Sequence, residues 1–424
     1  MPLASNLLPL ASQFPGVKFV GVDSSSAQIA QAQDCAQSLQ IGNAEFYQVD
    51  ILHWNEFNIM QGEHNTKFDY IFCHGLYSWV AEPVRRAIWD IASTHLTENG
   101  VLYLSYNTLP PNIWRETVRR AMRLIGEPTS AINAQVRSLR ELLHYFADNL
   151  SDDPRPYARE LKSEVLQLQK QSDSFLIHEI LAAHGEGFYV LDIAEKAREY
   201  GLSYLGDAWP SRSRCLTDLD FVKNQTEPRS LGTDDAHEIS EQIRDLISPV
   251  SFRSSLFAFK EVCAENRVAD DNPLDPHTVE KMYVASSLVP VSDSPRCADS
   301  SCEDFSDPRG YYLTFSDPVL KSAITELAAL WPEALSIAEL KARVHKLLET
   351  SENAPAEQIS EDAPISITEN LEHTLIELFQ QNLVDLYLER PRIKTRPEHP
   401  RVLPIARQQF SRLGWATNLR HEYQ

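Results

Sequence analysis

Three residues placed one strand-plus-helix unit apart offer a chemistry: Asp23, Asp50 and His74. Each closes a short apolar run, respectively Val17–Asp23, Ala44–Asp50 and Phe68–His74. Runs of this kind, rich in β-branched and aromatic residues, read as buried parallel strands. Open α/β sheets bind their ligands at the carboxyl ends of such strands. An acid there can accept hydrogen bonds from ribose hydroxyls, which suits Asp23 with the adjoining Ser24. It can equally be a helix cap, because Ser24-Ser25-Ser26 opens a helix. Asp50 can accept from an adenine amino group while the Ile51 amide meets a ring nitrogen. His74 closes the strand at which an acceptor substrate would enter, and can orient that substrate or relay a proton. Tyr77 and Trp79, just after it, and Tyr106, at the end of the next strand, supply aromatic rings. The plainer reading packs these aromatic rings in the core and gives the imidazole a backbone partner.

The elements that would position these residues alternate in the βαβ manner over 17–108. The pattern predicts strands at Val17–Asp23, Ala44–Asp50, Phe68–His74 and Gly100–Tyr106. Helices are predicted at Ser26–Leu39 and Glu82–Leu96, with a turn at Glu98-Asn99-Gly100. One parallel sheet carrying Asp23, Asp50 and His74 at a single edge is the expectation. Residues 112–183 read as helices, including a long one over Tyr157–Ala183. Asp192–Tyr200 is a further helix, and Leu202–Asp207 a returning strand. Residues 211–285 read as mixed and mostly helical. Val289–Arg309, rich in Ser, Asp and Pro, reads as a linker. Helices follow at Val319–Leu330, Ile337–Leu348 and Leu371–Leu383, with a strand at Val384–Leu388. Acidic Glu349–Thr368 reads as a mobile insertion.

Composition narrows the function classes. The 424 residues predict two or three domains. A net charge of -21 disfavours broad nucleic-acid binding. Two basic clusters, Arg115/Arg119/Arg123 on one helix face and Arg390 to Arg412 near the C-terminus, read as solvated faces or partners for the acidic bulk. No apolar run suits a membrane helix and the N-terminus has no signal pattern, so a soluble, cytoplasmic protein is expected. Six scattered cysteines fit a reduced compartment. Cys297 and Cys302 have no second pair at zinc spacing, and His178-Glu179 lacks the second histidine of a zinc-protease helix, so no metal is expected. Neither a phosphate-binding lysine loop nor a nucleophile elbow is present.

The order of ribose acid, adenine acid and acceptor strand resembles class I S-adenosylmethionine-dependent methyltransferases. The segment Phe68-Asp69-Tyr70-Ile71-Phe72-Cys73-His74-Gly75-Leu76-Tyr77-Ser78-Trp79-Val80 is similar to one in the methyltransferases that carry a methyltransferase regulatory domain. Leu104–Thr108, Phe175–Glu179 and Gly201–Ala208 resemble further landmarks of that family. It includes rickettsial enzymes that methylate lysines of outer-membrane proteins. The likeness covers most of residues 5–260 and continues more weakly beyond. The strand closing at His74 lacks the Asn/Asp-Pro-Pro-aromatic signature of amide and adenine methylation.

The resemblance implies an α/β, Rossmann-like doubly wound methyltransferase sheet, a mostly helical regulatory domain and a winged-helix-like C-terminal module. The implied boundaries are 1–110, 111–288 with a returning strand near 202–207, a linker at 289–310, and 311–424. It implies S-adenosylmethionine as cofactor, bound by Asp23, Ser24, Asp50, Ile51 and His74. It also implies methylation of a lysine or related amine on a protein partner, served by His74, Tyr77, Trp79 and Tyr106. Oligomeric state is left open. In the family a first strand and a glycine-rich loop precede the segment resembling Ala4–Ala11. The only Gly-x-Gly here, Gly185-Glu186-Gly187, opens no strand-to-helix turn. Weak cofactor binding by these 424 residues is therefore an expectation, and a non-catalytic interaction protein is the alternative.

Overall fold

The structure is a computed structural model; it describes residues 4–54, 66–125, 131–150, 153–209, 234–262, 274–307, 310, 312–349 and 371–391. Two compact units divide the chain, one of residues 1–50 with 267–424 and one of residues 51–266.

The first unit opens with α1 (Ala4–Gln13), β1 (Phe19–Asp23), α2 (Ser26–Ser38) and β2 (Ala44–Gln48). β1 and β2 pair in parallel, with Asp23 opposite Gln48. The apolar face of α2 supplies Ile29, Ala32 and Ala36 to a small core with Leu8 and Phe46. Ser25 caps α2, its hydroxyl accepting from the Gln28 N–H.

The second unit contains β3 (Phe68–Cys73), α3 (Glu82–His95), β4 (Leu96–Asn107), α4 (Ile113–Ile125), α5 (Ile132–Asn149) and α6 (Pro156–Gln169). It continues with α7 (Asp173–Glu179), α8 (Val190–Glu199), β5 (Leu202–Asp207), α9 (Asp234–Ile247) and β6 (Phe252–Phe259). Its sheet runs β3-β4-β6-β5. β3 and β4 are parallel, whereas β6 is antiparallel to both β4 and β5. The core beneath combines Trp89 and Ala92 of α3, Leu102, Leu104 and Tyr106 of β4, Ile193 and Ala197 of α8, and Phe257 of β6. A separate helical core joins Val118, Leu139, Leu143, Val165 and Leu176.

Several expectations change here. The four strands of 17–108 fall in two parallel pairs rather than one sheet, each pair closed by its own crossover helix, α2 or α3. The Glu98-Asn99-Gly100 turn is a local irregularity within β4, where the pairing shifts between Phe68↔Leu96 and Tyr70↔Val101. Glycine is needed there: a Cβ on Gly100 would lie 2.9 Å from Leu96 Cδ2 and 3.0 Å from the Phe68 carbonyl oxygen. β3 was read as buried, yet Tyr70 and Phe72 on it are exposed. The long helix over 157–183 is two, because Ser172 starts a new helix by accepting from the Phe175 N–H. β6 replaces part of a region read as mostly helical.

The remainder of the first unit holds α10 (Pro276–Val279), β7 (Tyr283–Ala285), β8 (Val289–Pro290), β9 (Glu303–Ser306), β10 (Tyr312–Phe315) and α11 (Pro318–Leu330). β11 (Leu335–Ser336), α12 (Ile337–Glu349), α13 (Leu371–Gln380) and β12 (Asp385–Tyr387) complete it. Two antiparallel three-stranded sheets form, ordered β11-β7-β12 and β10-β9-β8. Helices α11, α12 and α13 share one core with β7 through Val284, Leu327, Leu340 and Leu375. The stretch read as a linker is folded: it supplies β8 and β9, and its loop is tied down by buried Lys321. That ammonium donates to the carbonyls of Arg296, Asp299 and Ser301 at 2.7, 2.7 and 2.6 Å. The acidic insertion from residue 350 and the basic tail from residue 392 lie outside the described residues. Arg390 lies within them; it pairs with Glu339 and sits 5.2 Å over the Tyr283 ring.

Candidate functional site

The predicted site residues come together in two groups, one in each unit. In the first unit, β1 and β2 run side by side, and the Val49 N–H donates to the Asp23 carbonyl at 2.9 Å. Asp23 and Asp50 therefore stand at the same carboxyl edge. Asp23 is half-buried, and its Oδ1 accepts from the Ser25 N–H at 2.8 Å. Ser24 is exposed, with its carbonyl accepting from Gln48 Nε2 at 3.2 Å. Asp50 is exposed just beyond β2. Ile51, in the second unit, opens a short 3-10 turn over Ile51–His53.

In the second unit His74 follows β3 directly. The next residue, Gly75, takes a φ of 65°, a left-handed conformation that favours glycine. This turn directs the Gly75 N–H onto Ser105 Oγ at 2.7 Å. His74 Nδ1 lies 3.1 Å from Tyr103 Oη and 3.3 Å from Ser105 Oγ. The Tyr103 hydroxyl donates onward to Ser254 Oγ at 2.9 Å. Phe252 meets the imidazole edge-on, 5.9 Å between centroids. Burial lowers the pKa of His74 from its ordinary 6.5, so the ring is neutral near pH 7.

The other three expected residues occupy different surroundings. Tyr77 is buried, and its hydroxyl accepts from Trp89 Nε1 at 3.0 Å. Burial pushes that phenol up to about 12. Tyr106 is fully buried, its hydroxyl 2.9 Å from Ser255 Oγ. Trp79 is half-buried beneath the Arg119 guanidinium, 5.2 Å from ring centroid to Cζ. A Cβ on Gly185 would come within 3.0 Å of Arg119 Nε and 3.2 Å of Trp79 Cζ3, so the loop around Gly185 closes against this pair.

On the arginine face of α4, Arg119 is buried, Arg115 half-buried and Arg123 exposed, and the first two meet acidic partners, as the expectation of partners for the acidic bulk has it. Arg115 Nε pairs with Glu164 at 2.7 Å, and Arg119 Nε donates to the Glu179 carbonyl at 2.6 Å. Arg123 Nη2 reaches the Ala183 carbonyl at 3.4 Å. Glu179, from the His178-Glu179 pair, thus serves to hold α7 against α4.

Sequence reasoning missed Tyr103, Ser105 and the polar residues of β6. Arg253 is buried and binds both oxygens of Asp245, at 2.7 and 2.8 Å, and Glu241 at 2.9 Å. Its Nη1 lies 3.1 Å from Tyr204 Oη and 3.5 Å from Asp207. The Ser254 N–H reaches the same Asp207 Oδ2 at 3.4 Å. No local signal marks these residues, because their partners lie on other elements. The neighbouring Cys73 thiol is pushed up to about 12 by burial, so it stays protonated and is no nucleophile.

The donor set at the β1–β2 edge fits the adenosine half of S-adenosylmethionine. Asp23 spends one oxygen on its own turn, and a carboxylate has a second with which to accept from ribose hydroxyls. Asp50, one strand over and exposed, suits an exocyclic amine. Among the described residues no group of His, Cys, Asp or Glu could hold a metal ion, and no helix is long and apolar enough to cross a membrane.

Comparison with known proteins agrees with this architecture. Residues 3–102 match a family described as a methyltransferase domain, and residues 172–258 one described as a predicted methyltransferase regulatory domain. The chain belongs to the S-adenosylmethionine-dependent methyltransferases that carry this regulatory domain. The uncharacterized protein RP028 of Rickettsia prowazekii is 32% identical over 194 residues, covering 46% of this chain and 75% of that protein. RP789 of the same organism, also uncharacterized, is 26% identical over 427 residues, covering 98% of this chain and 71% of that protein. PKMT2 from Rickettsia typhi in complex with AdoHcy has the same fold. Its TM-score is 0.76 at 23% identity, covering 99% of this chain and 77% of that one. β5 and β6 lie within the regulatory match and hydrogen-bond into the sheet that holds β4, so the two matched segments share one sheet.

Proposed function

We propose that this methyltransferase transfers the methyl group of S-adenosylmethionine to a lysine, or a related amine, of a protein substrate. The observation that carries the reading is the neutral imidazole of His74, fixed at the end of β3 by two hydroxyls. The bound cofactor supplies an electrophilic methyl on a sulfonium. A lysine acceptor must first lose its proton, and with an ordinary pKa near 10.4 this costs about 4 kcal/mol at pH 7.5. A base held below 6.5 is too weak to carry that proton, so His74 acts instead as an acceptor, orienting the neutral amine through one of its N–H bonds. Half-buried Trp79 is covered by the Arg119 guanidinium and so braces this region rather than walling the amine. Tyr77 and Tyr106 support the site from within the core. Asp23 and Asp50 hold the adenosine half. The resemblance to rickettsial protein lysine methyltransferases points the same way.

The test compares the full chain with His74→Ala, using methyl-labelled cofactor and a lysine-rich polypeptide. The expected result is turnover by the native chain and a kcat about 10- to 100-fold lower in the variant, with cofactor affinity retained. Equal turnover by His74→Ala would overturn the role given to the imidazole.

A further inference from the structure

An acceptor role for His74 requires that one ring nitrogen carry no proton, and the tautomer decides which. The direction of the Tyr103–Ser254 hydrogen bond bears on which. Tyr103 donates its single proton to Ser254 Oγ at 2.9 Å, so toward His74 Nδ1, 3.1 Å away, Tyr103 Oη presents only lone pairs. Ser105 Oγ, 3.3 Å from the same nitrogen, accepts from the Gly75 N–H and can either accept from or donate to Nδ1, so the shorter Tyr103 contact decides the tautomer. Ser254 is itself held: it stands opposite Ser105 in the β4–β6 ladder, and its N–H reaches Asp207 Oδ2 at 3.4 Å. Asp207 in turn lies 3.5 Å from buried Arg253.

We infer that Tyr103 and Ser254 are positioning residues that lock His74 in the Nδ1–H tautomer and so leave Nε2 as the hydrogen-bond acceptor for the amine; this deepens, and rests on, the amine reading given above. Ser254 lies within the segment matched as a regulatory domain. That segment therefore reaches the imidazole both directly, through the Phe252 ring, and through the Tyr103 hydroxyl. A disturbance of β6 that turned the Ser254 hydroxyl away would release the Tyr103 proton to Nδ1 and close Nε2 with a proton of its own. The segment would then set the state of His74 by hydrogen bonding alone, without touching the substrate.

The experiment is nitrogen NMR of the full chain carrying 15N-labelled histidine, at pH 8, where the ring is neutral. The His74 signals are assigned by their loss in His74→Gln. The expected spectrum has a protonated, pyrrole-type Nδ1 and an unprotonated, pyridine-type Nε2. In Ser254→Ala the freed Tyr103 proton turns to Nδ1, and the tautomer ratio moves toward Nε2–H by about tenfold, the scale of one hydrogen bond. Ser254→Thr keeps the hydroxyl and restores the native ratio, which a merely structural loss would not do. Tyr103→Phe removes the principal acceptor and also lowers the Nδ1–H population. A native His74 in the Nε2–H form, or an unmoved ratio in a folded Ser254→Ala, overturns the inference. If Ser254→Ala does not fold, the native spectrum and Tyr103→Phe decide it. Failure of the amine reading shows elsewhere: a native Nδ1–H spectrum with full turnover by His74→Ala removes the acceptor role and leaves the tautomer lock standing.

Discussion

Trp89 donates its indole N–H to the Tyr77 hydroxyl at 3.0 Å, the two rings meeting edge to face at 6.0 Å. Trp89 is fully buried and Tyr77 nearly so. The pair joins the residues after His74 to α3, so the turn that presents the imidazole is anchored from below. Tyr77→Phe keeps the ring and strands the indole N–H without a partner. That change is expected to destabilise the second unit by about 1–3 kcal/mol, the cost of an unsatisfied buried donor. Denaturant unfolding measures it, and an unchanged midpoint would show that the pair contributes nothing.

Arg253 makes a second prediction about stability. Its guanidinium faces Asp245, Glu241 and Asp207 in a buried cluster. Arg253→Met keeps the bulk and takes the cation away from Asp245 and Asp207, while Glu241 keeps its pair with Arg244. A loss of about 3–5 kcal/mol is expected. Asp245→Asn, which removes one acid and keeps its shape, should cost less. Equal stability of Arg253→Met and the native chain in urea would contradict the cluster as described.

His74 makes a prediction about pH with a definite sign. Burial lowers its folded-state pKa below 6.5, so the unfolded chain takes up this proton first as pH falls. Where the unfolded state binds more protons, stability rises with pH. The contribution is therefore fully present above about 6.5 and lost on acidification toward the folded pKa. Thermal midpoints between pH 7.5 and 5.5 should fall less in His74→Gln than in the native chain. Identical slopes would mean that the imidazole titrates alike in both states.

Asp23 tests the cofactor edge. Its half-buried carboxylate keeps one oxygen beyond the turn it closes with Ser25. Asp23→Ala should weaken S-adenosylmethionine binding by about 1.5–3 kcal/mol, the loss of charge-assisted hydrogen bonds. Isothermal titration reads this directly. Unchanged affinity in a folded variant would reduce Asp23 to a cap.

What the sequence made legible follows from what is local. Asp23 and Asp50 could be read because an apolar run ending in an acid is a pattern within seven residues. His74-Gly75 could be read for the same reason, and φ at Gly75 explains why glycine stands there. β6 could not be read. Arg253, Ser254 and Ser255 fall in a region that reads as mixed and mostly helical, yet they lie on a strand and all three are buried. Their partners Asp245, Glu241 and Tyr103 belong to α9 and to β4, and the Tyr103–Ser254 bond spans 151 positions. The arginines at 115, 119 and 123 were legible as one face with acids as partners, but not with which acids, because Glu164 and Glu179 come from other helices. The tautomer of His74 depends on that distant register, so no local pattern carried it.

The central claim is that the acceptor is an amine on protein. The measurement that reaches it most directly is the chemical identity of the product after transfer from methyl-labelled cofactor to a mixed polypeptide substrate. Complete acid hydrolysis followed by mass spectrometry distinguishes methylated amino acids, and methyl esters are lost on the way. The account predicts label in N-methylated lysine, diminished in His74→Ala. Label recovered only as volatile methanol from esters, or only in methylated arginine, would contradict it.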